Sequence, residues 1–279
     1  GLPKNIIDLD NMYLDNVTSP SEISYSFQWQ RADDTLGTNV ADIVGEINQD
    51  YLLTIDDSDK YIRVEVIAID NGIGDKQDLL RMMSSMAYRG PDGQGVWHDG
   101  KDVYLGHLRL AIVDLESGQQ PLSTVDSSLT VVFNGEIYNH RQLRADLEKK
   151  GHRFQTHHSD TEVLLHGYRE WGFDLTSRLN GMWAFALVDQ KKGILWLSRD
   201  RFGKKPIYYS QVGESFTFSS ELRSLLAHQV VDSQIDRLSL KKYFAYGYVP
   251  APRSLISNVR KLPAGHNLFF DLNSRVASV

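Results

Sequence analysis

Residues 182–188 read Met-Trp-Ala-Phe-Ala-Leu-Val, seven apolar positions without a break. A strand with one wet face alternates apolar and polar residues, so a strand with no polar position must be covered on both sides. The chain therefore needs layers above and below at least one sheet. A second run, 129–132 (Leu-Thr-Val-Val), leads directly into Phe133-Asn134-Gly135-Glu136-Ile137-Tyr138-Asn139. Its β-branched content predicts a buried strand that delivers Asn134, Gly135 and Glu136 at its end, where the site residues of layered folds gather. An amide side chain beside a glycine offers two N–H donors at one point, a pair suited to a developing oxyanion. The same Asn-Gly pair is also a hairpin-turn signal, and the local pattern leaves both readings open.

Along the chain, Leu79, Leu80, Met82, Met83 and Met86 form one helix face, more readily core than a cofactor contact. Residues 103–105 and 110–113 read as strands flanking His107-Leu108-Arg109. A helix is predicted from Asn139, with Leu143 and Leu147 on its buried side and Gly151 ending it. The next helix opens on Ser159 with Glu162 three residues later, a capping box. Residues 194–197, 207–210 and 216–218 read as further strands, and 221–227 and 238–246 as helices. Strands interleaved with helices in this way fit sheets stacked under helical layers.

The N-terminal part has a different grain. Residues 1–20 are polar and aperiodic, a loose lead-in. Tyr25, Phe27 and Trp29 then alternate with polar residues, and 51–55 and 61–69 read as two more strands. These stretches resemble the later half of a bacterial immunoglobulin-like repeat, with Trp29 as its core tryptophan and Tyr61 as its corner tyrosine. The early strands of such a sandwich have no counterpart. Asp56 to Lys60 lacks the glycine and glutamate of a calcium loop and reads as a solvated turn. Asn71-Gly72-Ile73-Gly74 marks the boundary.

Net charge is -6, which gives no global support for a nucleic-acid partner. No run of 18 apolar residues predicts a membrane span. Cysteine is absent, which excludes disulfides, thiolate metal sites and a cysteine nucleophile within the chain. No metal site is predicted: His157-His158 reads as solvated loop, and His98 and His107 as structural. Arg199-Asp200-Arg201 reads as a structural ion-pair loop.

Several motifs occur in one order: Arg89-Gly90-Pro91-Asp92-Gly93, Gly106-His107-Leu108-Arg109-Leu110, Gly118-Gln119-Gln120-Pro121, Phe133 to Asn139, Ser159-Asp160-Thr161-Glu162 and Arg199 to Pro206. Together they resemble the glutaminase domain of glutamine-dependent asparagine synthetases, the class II glutamine amidotransferases. Within these the chain looks most like the asparagine-synthetase-like amidotransferases found with exosortase systems. The resemblance implies an α+β fold, the four-layer α-β-β-α sandwich of stacked antiparallel sheets of the N-terminal-nucleophile hydrolases, preceded here by a small partial β unit. It divides the chain into 1–74, a partial immunoglobulin-like segment; 75–268, the amidotransferase-like domain; and 269–279, a linker toward a synthetase domain.

The resemblance also implies an activity: hydrolysis of glutamine to glutamate and ammonia for amide transfer. Asn134 and Gly135 would form the oxyanion hole. Arg109 would bind the substrate α-carboxylate and Asp160 its α-ammonium, with Glu136 beside it. Leu110, Ala111, Ile112 and Val113 would line the pocket through their backbone. The nucleophile of that family is a cysteine at the mature N-terminus, which would fall near residues 58–62; Val64 to Ile69 stands where its first strand would run. With no cysteine, the chain is expected to release no ammonia. No cofactor is implied for this chain; ATP and magnesium belong to the family's synthetase domain. A homodimer and a cytoplasmic location are implied as in the family. The other readings are a non-catalytic binding module and a chimeric or truncated gene product.

Overall fold

The computed structural model describes the backbone strands within residues 1–70, and residues 76–110, 118–157 and 159–279 in full. The chain divides into two compact units, Gly1–Gly72 and Ile73–Val279.

The first unit contains β1 (Ile6–Ile7), β2 (Ile23–Ala32), β3 (Ala41–Asp42), β4 (Tyr51–Leu52) and β5 (Tyr61–Asp70). β2 and β5 pair antiparallel along their whole length, with Trp29 opposite Val64. β3 pairs with the end of β2, and β1 with β4. Ile6 and Ile7 thus form a strand inside the stretch read as aperiodic lead-in. Val64 to Ile69 pairs with β2. The side-chain roles expected of Trp29 and Tyr61, the turn at 56–60 and the boundary at 71–74 lie outside the described residues.

The second unit contains α1 (Lys76–Ser85), β6 (Gly93–His98), β7 (Tyr104–Arg109), β8 (Leu122–Ser123), β9 (Leu129–Ile137), α2 (His140–Lys149), α3 (Asp160–Trp171) and α4 (Leu175–Arg178). β10 (Gly181–Asp189), β11 (Ile194–Arg199), β12 (Tyr208–Val212), β13 (Ser215–Ser219), α5 (Leu222–Leu226), α6 (Arg237–Tyr246), β14 (Val259–Lys261), β15 (Asn267–Asp271) and β16 (Val276–Ser278) follow. One antiparallel sheet has the order β16-β15-β11-β10-β9-β8. Residues 269–279, read as linker, supply part of β15 and all of β16 to it.

The apolar run at 182–188 lies in β10, near the middle of this sheet. Successive side chains alternate faces, so the run splits into two sets. Phe185 and Leu187, with Val131 and Phe133 of β9, pack against Leu143 and Leu147 of α2 and Leu164 of α3. Ala184, Ala186 and Val188, with Val132, pack against Leu105 of β7, Ile207 and Leu262. That second layer consists of two pieces, β13-β12-β14 and β6-β7. Beyond it, Met82 of α1 and Leu225 of α5 close over Val259 and Ile256. The result is the α+β sandwich, helices outside and antiparallel sheets stacked between.

Three local expectations need correction. Asn134 and Gly135 are neither a turn nor a strand end; β9 runs through them to Ile137, paired with Gly181. The strand predicted at 103–105 runs on through His107-Leu108-Arg109, because β6 pairs with β7 continuously from His98↔Tyr104 to Gly93↔Arg109; the strand predicted at 110–113 lies, beyond Leu110, outside the described residues. The helix predicted from Asn139 begins at His140, and the Asn139 amide spans to Arg178 O and Asn180 N–H, both at 2.9 Å. Arg199 and Asp200 serve backbone groups rather than each other. Arg199 donates to the carbonyls of Lys205, Leu262 and Gly203, while Asp200 accepts the N–H groups of Phe202, Lys204 and Lys205.

Candidate functional site

A pocket of about 330 Å³ opens where β7, β9 and the first turn of α3 converge. Arg109, Leu110, Asn134, Gly135, Glu136 and Asp160 all line it. Ala111, Ile112 and Val113 lie outside the described residues. The order of elements explains the convergence. Arg109 is the last residue of β7 and is buried. The Arg-Gly-Pro-Asp-Gly loop folds against it, with Asp92 N–H donating to Arg109 O at 3.0 Å. Leu110, just beyond the strand, is exposed.

β9 carries the other half of the site. Asn134 lies opposite Ala184, and Gly135 opposite Trp183. Glycine is required at 135 by close approach: a Cβ there would stand 2.1 Å from Met182 O and 2.9 Å from Trp183 Cα. Any side chain would drive β9 and β10 apart.

Asp160 opens α3 behind the N-cap Ser159, whose hydroxyl accepts Thr161 N–H at 3.2 Å. The expected reciprocal half of the capping box is missing. Glu162 turns instead to the preceding loop, accepting Gln155 N–H at 2.7 Å and Thr156 N–H at 2.8 Å. Although burial opposes it, these bonds and His166 hold the Glu162 carboxyl down to about 2. Asp160 is also buried, and its Oδ2 accepts Ile137 N–H at 3.1 Å. Burial pushes its carboxyl above the usual range; the Ile137 N–H and His140 pull it down, and nearby Glu136 adds to the rise.

Two further residues bear on the site. His107 Nε2 lies 3.2 Å from Phe133 O. A carbonyl only accepts, so Nε2 carries the proton and Nδ1, buried with no hydrogen-bond partner among the described residues, is an open acceptor. Burial, with the positive charge of Arg109, lowers His107 to about 4. Gln120 Oε1 accepts Phe133 N–H at 2.6 Å, and its Nε2 donates to Thr161 Oγ1 at 3.3 Å. Sequence reasoning left His107 structural and Gln120 without a role of its own; the motif Gly118-Gln119-Gln120-Pro121 was the available signal.

The site thus joins a buried guanidinium, a buried carboxylate of raised pKa, a second carboxylate and an Asn-Gly pair in one cavity. Such a set can clamp the two charges of an amino-acid head and offer N–H donors to an acyl oxygen.

Residues 66–278 match the glutamine amidotransferase domain family. The chain is 40% identical over 201 residues to asparagine synthetase (glutamine-hydrolyzing) 3 of Bacillus subtilis, a match covering 71% of this chain and 32% of that one. It is 40% identical over 220 residues to putative asparagine synthetase (glutamine-hydrolyzing) 2 of Methanocaldococcus jannaschii, covering 72% and 42%. The chain therefore spans less than half the length of these relatives. Among solved structures, glutamine phosphoribosylpyrophosphate amidotransferase of B. subtilis superposes with a TM-score of 0.50 at 22% identity, over 70% of this chain and 44% of that one. A structure of the allosteric regulatory enzyme of purine biosynthesis gives 0.51 at 22% identity, over the same shares. Both are likenesses of fold. With the family match covering most of the chain, the protein belongs to the glutamine amidotransferase domain family.

Proposed function

We propose that the pocket binds glutamine, as the glutaminase domain of an asparagine-synthetase-like enzyme. One observation carries this reading: Arg109, Asn134, Gly135, Glu136 and Asp160, drawn from three separate motifs, line a single cavity. On this reading Arg109 takes the α-carboxylate through its fork of donors. Asp160, ionised by the incoming ammonium, takes the α-amino group with Glu136 beside it. The side chain then points its amide at Asn134 and Gly135, whose N–H groups stabilise the oxyanion formed on attack at the amide carbon. Ammonia leaves, glutamate remains, and in the complete reaction the ammonia would feed an amide-forming step.

Attack needs a nucleophile, and the chain contains no cysteine. Loss of a catalytic nucleophile costs on the order of a million-fold in rate, leaving only what binding and the oxyanion hole supply. The chain as it stands is therefore proposed to bind glutamine without measurable turnover. This also favours the second reading, a binding module that retains the amidotransferase pocket.

The test pairs an ammonia-release assay with ligand titration followed at the Gly135 amide by NMR. Glutamine should shift that amide saturably, while acetate and methylamine, each carrying one charge of the head, should not, and ammonia should stay at background. Sustained ammonia release would refute the reading of the chain as a non-turning-over site. A Gly135 amide indifferent to glutamine would refute the pocket.

A further inference from the structure

The strand that carries Asn134 and Gly135 is held on one edge by side chains where a neighbouring backbone would be expected. β8 pairs with β9 at Leu122↔Val131 and Ser123↔Thr130. Continuing that register would bring Gln120 opposite Phe133. Pro121 has no N–H and cannot extend the ladder. The side chain of Gln120 takes over: Oε1 accepts Phe133 N–H at 2.6 Å, where a strand carbonyl would have stood. The backbone at Gln120 can come close because β6 has a glycine there; a Cβ on Gly95 would stand 2.1 Å from Gln120 O. The far end of the same amide reaches α3, donating to Thr161 Oγ1 at 3.3 Å. Thr161 is the neighbour of Asp160, and Asp160 holds Ile137 N–H. Phe133 and Ile137 therefore bracket Asn134-Gly135-Glu136, and both of their N–H groups are held from the first turn of α3, one directly and one through Gln120.

We propose that Gln120 is a positioning residue for this site, whose side-chain amide fixes the Asn134-Gly135 donors relative to Asp160. The inference rests on the glutamine reading above. Gln120 acts through Phe133 and Thr161 and does not itself touch the reacting atoms. It makes the oxyanion pair and the ammonium clamp one rigid unit, so a ligand seated on Asp160 meets donors already aimed at its amide.

Two substitutions separate this role from general support of the fold. Gln120→Asn keeps the amide but is one methylene short of Phe133. Gln120→Glu keeps the reach and an acceptor oxygen. Amide hydrogen exchange at Phe133 and calorimetric glutamine affinity are measured for both and for the parent chain, with Arg109→Met as control and circular dichroism to verify folding. Net loss of one such hydrogen bond corresponds to about fivefold to tenfold. Gln120→Asn should therefore speed exchange at Phe133 by at least about that factor and weaken glutamine binding by a similar one. Gln120→Glu should keep the parent exchange rate. Unchanged exchange at Phe133 in Gln120→Asn would overturn the proposal, as would faster exchange with unchanged affinity. If the parent chain and Arg109→Met take up glutamine equally, or neither does, the glutamine reading itself fails, and the exchange rates still decide whether Gln120 holds the strand.

Discussion

Asp160 at the start of α3 accepts the backbone N–H of Ile137 at the end of β9, at 3.1 Å. One carboxylate therefore has two tasks: it closes the strand that presents Asn134 and Gly135, and beside Glu136 it gives the pocket a carboxylate. The tasks separate on substitution. Asp160→Asn retains an acceptor for Ile137 and removes a charge whose burial is unfavourable. Its melting temperature should match or exceed the parent's, while glutamine affinity falls at least about tenfold, a loss in line with a charge-assisted bond. Asp160→Ala leaves the N–H buried and unpaired and should cost about 1–3 kcal/mol. Scanning fluorimetry with calorimetry checks both.

The raised pKa of Asp160 gives binding a pH dependence of definite sign. Protonation removes the partner of the ligand ammonium, so affinity should fall as the pH drops through the Asp160 pKa, which burial sets above the ordinary carboxylate value. In Asp160→Asn that dependence should vanish. Titrations at a series of pH values are the check.

His107 sets a second pH dependence, now of stability. Its folded value of about 4 lies below the ordinary 6.5. The unfolded chain therefore binds more protons between these values, and stability falls as the pH drops from about 6.5 to about 4. The contribution is present in full above 6.5 and has a ceiling of roughly 3–4 kcal/mol. Urea unfolding at pH 7.5 and pH 5 should show the loss, and His107→Gln should flatten it. Nitrogen shifts of the ring should report the proton on Nε2 at neutral pH.

Gly135→Ala should be among the costliest small substitutions in the second unit, because its Cβ meets Met182 O at 2.1 Å. Overpacking against backbone typically costs about 1–3 kcal/mol or more. Chemical denaturation of this variant should show a loss at the upper end of that range, with exchange accelerated along β9 and β10.

The layered fold was legible because burial on both faces leaves a direct mark in the sequence. The run at 182–188 has no polar position and became the strand that both helical and sheet layers cover. The site set was legible through motif order: Arg109, Asn134, Gly135, Glu136 and Asp160 meet although up to 51 positions separate them, counting from 109 to 160. What stayed hidden depends on long-range partners. Asn134-Gly135 carries a turn signal locally, yet pairing with β10 keeps it extended. Glu162 sits at the spacing of a capping box, yet the loop at Gln155 and Thr156 offers its N–H groups instead. Gln120 replaces a strand neighbour through its side chain, which no periodicity records. Short strands such as β8 and β16, two and three residues long, are too brief to impose a period.

Glutamine binding in the Arg109 pocket is measured most simply by calorimetric titration of L-glutamine into the parent chain and into Arg109→Met. Saturable one-to-one binding to the parent is expected, with loss of that binding when the buried guanidinium is replaced by an uncharged chain of similar length. Equal binding by both proteins, or none by the parent, would contradict glutamine binding in that pocket.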